Sequence, residues 1–111
     1  MEMQITKLSE LPAKDVSGHE GFVARSMLNL PEKKISVRVL SVTPGGIGPV
    51  PAHSHSDTHL FLVLEGQLEL DIEGSLHLVP SGSCIEVPPN RQHQLRCSGE
   101  FEMTVLAIKW N

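Results

Sequence analysis

His53-Ser54-His55-Ser56-Asp57-Thr58-His59-Leu60-Phe61-Leu62-Val63-Leu64-Glu65-Gly66 is the stretch on which the reading of this chain turns. On extended backbone, residues two apart project from the same face, so His53 and His55 present two imidazoles to one point. His59 keeps that parity and opens an apolar run, Leu60 to Leu64, so its ring returns to the same point if the chain turns at Ser56-Asp57. With six histidines in 111 residues, two more at these offsets arise by chance in roughly one sequence in fifty. His93 follows 34 residues later, just after Pro88-Pro89-Asn90, at the head of its own strand.

Working outward, the punctuation predicts an all-β chain. Nine glycines and eight prolines fall between short apolar segments, which suits strands of about five to nine residues better than helices. Ile35 to Thr43 is rich in β-branched and large apolar residues and is expected to end at Pro44-Gly45-Gly46. Gln67 to Glu73 alternates polar and apolar residues strictly, the period of a half-buried strand. Glu73-Gly74-Ser75 then turns into Leu76 to Val79 as a hairpin. Thr58 to Glu65, Cys84 to Val87 and Phe101 to Lys109 read as further strands. Leu11 to Leu30 reads either as a short helical turn plus a strand or as mostly extended. About eight to ten strands in one domain leave an apolar face wet unless the sheet folds over as a sandwich, jelly roll or barrel.

Composition narrows the function classes. A 40% hydrophobic share excludes a disordered chain. The formal charge of −4 and scattered basic residues give no nucleic-acid footprint, and Lys33-Lys34 reads as a solvated turn. The N-terminus lacks a basic region followed by an apolar stretch, and no apolar run approaches the ~20 residues that span a bilayer, so a cytoplasmic protein with no membrane partner is expected. Cys84 and Cys97 form no C-x-x-C pair and read as free thiols.

The clustered imidazoles have a chemical use. Neutral imidazole suits Fe, Ni, Cu and Zn, and Mn tolerates it; a structural zinc site would usually include cysteines, and neither thiol lies near the histidine pair. Three or four of the rings of His53, His55, His59 and His93, converging, would hold the expected cofactor, one divalent transition metal per chain (Mn, Fe, Ni, Zn or Cu). Four protein nitrogens on a six-coordinate ion leave two positions open. His19, in a glycine-flanked turn, and His77, in the hairpin, read as satisfied or solvent-facing rings. Arg38 is a weak candidate for anchoring an anion, and Glu86 and Gln94 are weak candidates for touching the site.

These residues resemble the two motifs of the cupin superfamily. Gly46 or Gly48, His53, His55, His59 and Gly66 resemble the first motif, with His59 where the family places glutamate. Gly82, Pro88, Asn90 and His93 resemble the second, with Asn90 where glycine is usual and Cys97 where asparagine is usual. The resemblance covers residues 46–66 and 82–97 and implies a small antiparallel β-barrel of jelly-roll type, residues 1–111 forming one cupin domain with the ligands pointing into its cavity. It is closest to small single-domain bacterial cupins with four histidine ligands. Replacing glutamate by His59 leaves a bound divalent ion its full +2 charge, hence a stronger Lewis acid that welcomes an anion. It also removes a carboxylate base. Asn90 tolerates the left-handed turn conformation, and Cys97 reads as packing.

The resemblance implies a metal-dependent enzyme of dioxygenase, isomerase or lyase type acting on a small oxygenated substrate, a carboxylate or a diol. The alternative is a non-catalytic module that binds or senses metal and small ligand. A homodimer is expected, with Met3 to Leu8 as a strand covering an exposed edge and Trp110 packing in that contact.

Overall fold

In a computed structural model that describes residues 3–111, β1 (Lys14–Asp15), β2 (Glu20–Leu30), β3 (Ile35–His53), β4 (Thr58–Glu65), β5 (Gln67–Ile72), β6 (Ser75–Pro80), β7 (Cys84–Val87), β8 (His93–Cys97) and β9 (Met103–Trp110) make one nine-stranded antiparallel sheet. Its order is β6-β5-β8-β3-β9-β4-β7, with β2 also paired to β3 and β1 to β2. The sheet curls into a nearly closed barrel of jelly-roll type, because its apolar face is large and has only itself to pack against. Among the described residues the helical pieces are two 3-10 turns, Leu8–Glu10 and Pro31–Lys33, and no helix is long and apolar enough to cross a membrane.

Inward parity is uniform and places the core. Phe61 and Val63 on β4, Leu95 and Cys97 on β8, and Met103, Val105 and Ala107 on β9 are all odd-numbered and buried. Leu40 and Val42 supply the same face from β3, with Phe22 and Ala24 opposite them on β2. Removing each such large aliphatic or aromatic side chain from water contributes about 1.5–3 kcal/mol. Cys97 sits in this layer, its Sγ–H donating to Phe101 O at 3.3 Å, so the departure from the family's asparagine is a packing choice. Burial pushes its thiol pKa up.

The turns follow local chemistry. The β5–β6 hairpin closes at Glu73-Gly74, where Asp71 Oδ1 accepts the Gly74 N–H at 2.8 Å. Gly66, between β4 and β5, has φ +78, and a Cβ there would stand 2.9 Å from Glu102 O. That dual restriction explains a glycine at this motif position. Asn90 holds φ 63 in the turn before β8, and its N–H donates to His55 O at 2.7 Å, tying the second motif to the first.

Three expectations need correcting. Pro44-Gly45-Gly46 does not end a strand: β3 runs on to His53, and pairing to β2 jumps from Phe22↔Val42 to Glu20↔Ile47. The extra β3 residues bulge out, bending the strand so that it leaves β9 and joins β8. Met3 to Leu8 is not a strand; its backbone pairs with no neighbour before the turn at Leu8, and Met3 and Ile5 are 95% and 100% exposed. The closing strand begins at Met103, two residues after the exposed Phe101. Trp110 ends β9, paired to Ile35 and Thr58 within the chain.

Candidate metal centre

Four strands change character at the same end of the barrel. Along the inward face, Val63 and Phe61 lead to His59 on β4, and Cys97 and Leu95 lead to His93 on β8. Val105 and Ala107 lead to Lys109 on β9, and Val42 and Leu40 lead to Arg38 on β3. Cross-strand pairing sets His59 opposite Lys109 and His53 opposite His93, with Arg38 one inward step deeper, opposite Ala107 and level with Phe61. His53 ends β3 and His55 lies in the short connection whose bends fall at Ser56-Asp57. The chain therefore reverses where the sequence expects, and His59 comes back to the pair. Together they line a cavity of about 130 Å³ whose walls include Phe22, Phe61 and His19.

Within it, one ring nitrogen each from His53, His55 and His93 lies within 4.8 Å of the other two. His59 stands beside this trio, with its Nε2 2.8 Å from His55 Nε2. Ring centroids are 4.9 Å apart for His53–His93, 4.6 Å for His55–His59 and 5.2 Å for His59–His93. His59 and His93 expose only 7% and 2% of their surface, whereas His53 sits exposed at the rim.

The donor set fits a transition-metal ion on three observations. His93 Nδ1–H donates to Arg91 O at 2.9 Å, which fixes the tautomer and leaves Nε2 as a lone pair. Two Nε2 atoms at 2.8 Å require a proton or a cation between them. His59 Nδ1 and His55 Nδ1 are buried without a hydrogen-bond partner, the latter 3.6 Å from Asp57 Oδ2. Such a cluster is costly unless its lone pairs serve a ligand.

Electrostatics favours the neutral form of His53, His55 and His59. Partial desolvation by the cavity wall, even at the rim, then the proximity of His93 and His55, lowers the His53 pKa to about 4. Burial, then His55 and His93, lowers that of His59 to about 3. His55 is lowered by burial and His93, with Asp57 opposing. Neutral imidazole is the ligating form.

Of the weaker candidates, Arg38 lines the cavity. Glu86 and Gln94 do not reach it. Glu86 lies on the exposed face of β7, one residue out of phase with buried Val87. Gln94 points away from the barrel, opposite His93, donating to Pro49 O and accepting from Arg96; both fail for the same parity reason. His77 is solvent-facing as expected. His19 is satisfied, its Nδ1–H donating to Ser17 O at 2.8 Å, but it also forms part of the cavity wall. It packs over Gly48, where any Cβ would run into its ring. Burial lowers its pKa, with the Ser17 contact opposing. Neither His19 nor Lys109 stands out in the sequence as a site residue; only the inward parity of β9 points to Lys109.

A barrel with a histidine cluster able to hold a metal at one mouth is the cupin architecture. Residues 38–109 match the cupin domain family (Cupin_2), and the chain belongs to it. It is 43% identical over 54 residues to the quercetin 2,3-dioxygenase of Bacillus subtilis (strain 168), covering 47% of this chain and 16% of that longer protein. A predicted oxalate decarboxylase from Thermotoga maritima superposes with TM-score 0.85 at 17% identity, over 96% of this chain and 98% of that one. The polyketide cyclase RemF from Streptomyces resistomycificus gives TM-score 0.85 at 22% identity, over 98% and 80%. These two likenesses establish the shared fold.

Proposed function

We infer that this chain is a metal-dependent cupin enzyme acting on a small oxygenated substrate, a carboxylate or a diol. In this reading one divalent transition-metal ion (Mn, Fe, Ni, Zn or Cu) is held by His53, His55, His59 and His93. The observation that carries it is the convergence of imidazole nitrogens, with those of His53, His55 and His93 within 4.8 Å and that of His59 2.8 Å from His55. The similarity to a quercetin 2,3-dioxygenase supports an oxidoreductase, with isomerase and lyase chemistry as sister outcomes of the same site.

A bound ion would supply Lewis acidity to a substrate oxygen at its open positions. The chain's residues do the rest. His93, locked by Arg91 O, and His59, packed on Phe61 with centroids 5.0 Å apart, fix the direction of the lone pairs. Phe22, Leu40, Phe61 and Leu95 exclude water from the floor. Arg38 and Lys109 supply positive charge beside the imidazoles. No carboxylate lines the cavity, so a proton leaving substrate goes to water or to Nε2 of His19, whose Nδ1–H is committed to Ser17 O.

The same reading takes the chain as one cytoplasmic cupin domain without nucleic-acid or membrane partners. It pairs as a homodimer, supported by the exposed apolar Met3, Ile5, Met27 and Leu28. A scattering mass near 12.1 kDa at micromolar protein would remove the dimer. The deciding experiment is turnover. Metal-loaded protein is screened against small carboxylates and catechols under oxygen, and His55→Ala is expected to lower the rate at least about 10²-fold. A protein that binds these ligands but converts none is a binding module instead.

A further inference from the structure

The histidine cavity has a larger neighbour. A space of about 470 Å³ lies against Lys14, Asp15, Val16, Ala24, Ser26 and Arg38. Arg38 is the one residue that lines both spaces. Pairing explains the room around it: on β3 it lies opposite Ser26 of β2 and Ala107 of β9, two small residues, with Ala24 next on the same inward face. The short β1, held to Ala24 and Val23 beside β2, lines the larger space with Lys14 and Asp15.

Among the described residues Arg38 has no counter-ion: the ion pairs are His55–Asp57, Arg91–Glu73 and Arg96–Glu69. Asp15 lines the larger space without reaching the guanidinium, and Lys109 beside the imidazoles is likewise unpaired. A half-buried guanidinium with five donors and no carboxylate is an incomplete arrangement that a bidentate anion completes.

Size sets the rest. About 130 Å³ is room for roughly four waters at ~30 Å³ each, enough for a head group and too little for a whole organic substrate. The larger space falls within the ~300–1,000 Å³ of ordinary small-molecule sites.

We propose that the substrate is an organic acid. Its carboxylate is held by Arg38 between the two spaces, its oxygenated head faces the imidazoles, and its tail occupies the larger cavity beside β1. This chooses the carboxylate over the diol. It rests on the metal-centre reading for the direction of the head, while the anion site depends on Arg38 alone.

The test uses acetate, hexanoate and hexanamide as probes, titrated calorimetrically into metal-free and zinc-loaded full-length protein, with zinc content measured throughout. Hexanoate is expected to bind about tenfold or more tighter than acetate, because its tail buries further methylenes. Hexanamide and the Arg38→Gln variant should each lose about tenfold or more, through loss of a charge-assisted bidentate contact. Arg38→Lys should keep part of the affinity, as a point charge without the fork. Ser26→Leu should lower hexanoate to the level of acetate and leave acetate unchanged; this variant also decides the matter if Arg38→Gln does not fold. Hexanoate bound no tighter than acetate, or equally well by Arg38→Gln, overturns the proposal. Zinc that fails to bind while hexanoate still depends on Arg38 removes the metal centre and leaves the acid site standing. Normal zinc content with Arg38-independent hexanoate binding does the reverse.

Discussion

At its floor the barrel is lined by Val42, Val63, Leu68 and Met103, each 0% exposed, whereas four to six residues further along β3, β4 and β9 the lining is guanidinium, imidazole and ammonium. The floor is what a strand buried on one face produces by default, and it carries the stability. The mouth departs from that default on four strands at the same end of the barrel. It gathers three rings that burial and mutual proximity hold toward the neutral form, two buried ring nitrogens without partners and two cations unpaired among the described residues. None of that stabilises the fold. Such concentrated local conflict is where ligand chemistry resides, and the two ends should fail in different ways when altered.

The largest separation is expected from His93→Ala. Metal content should fall to a small fraction of one ion per chain and turnover at least about 10²-fold, while the unfolding free energy of the metal-free protein stays within ~1 kcal/mol or rises. Elemental analysis beside a urea titration reads both, and full metal occupancy would undo the assignment of His93. At the floor the pattern inverts: Leu70→Ala should cost about 2–5 kcal/mol of stability through a cavity. Residual folded protein should keep its metal, measured by denaturation and by metal content per folded chain.

Acid sharpens the contrast further. An unfolded imidazole titrates at 6.5, but in the fold His53 does so at about 4 and His59 at about 3. Between those values the unfolded chain binds more protons. Stability of the metal-free protein is therefore whole above about pH 6.5 and is lost as pH falls toward 3. The urea midpoint should drop between pH 7 and pH 5, and His59→Leu should flatten that drop; a midpoint that rose on acidification would contradict the placement of the rings. Metal should likewise be retained to lower pH than free imidazole allows, then be displaced as the rings protonate.

The smallest effect belongs to Asn90→Gly. Its φ of 63 is already left-handed and suits glycine at least as well, and the N–H that donates to His55 O is retained. Stability should change by less than about 1 kcal/mol. A large loss of metal binding would show that the Asn90 side chain does more than tolerate the turn.

Strand parity explains why part of the site could be read from the chain and part could not. His53, His55 and His59 share parity and are close in sequence, so their convergence follows from backbone geometry plus one turn. The resemblance to the cupin motifs added His93. Arg38, Glu86 and Gln94 were indistinguishable as candidates because an isolated strand does not announce its inward face. Once Val87 and His93 are seen to point inward, Glu86 and Gln94 must point out. The bulge at Pro44 to Gly46 was equally hidden, since the same residues end one strand and bend another.

The sequence by itself determined that the chain is all-β, that its apolar segments alternate with turns, and that three imidazoles meet near one point, because these depend on periodicities of two and on nearest-neighbour turn chemistry. Only the tertiary structure decided that Arg38, Lys109 and His19 share that cavity, that a second space opens behind Arg38, and that Met3 to Leu8 lies free of the sheet. Those facts are set by which strands become neighbours and by how small residues such as Ser26 and Ala107 fall opposite large ones. Pairing across dozens of residues is a property of the closed barrel, and no local stretch of chain encodes it.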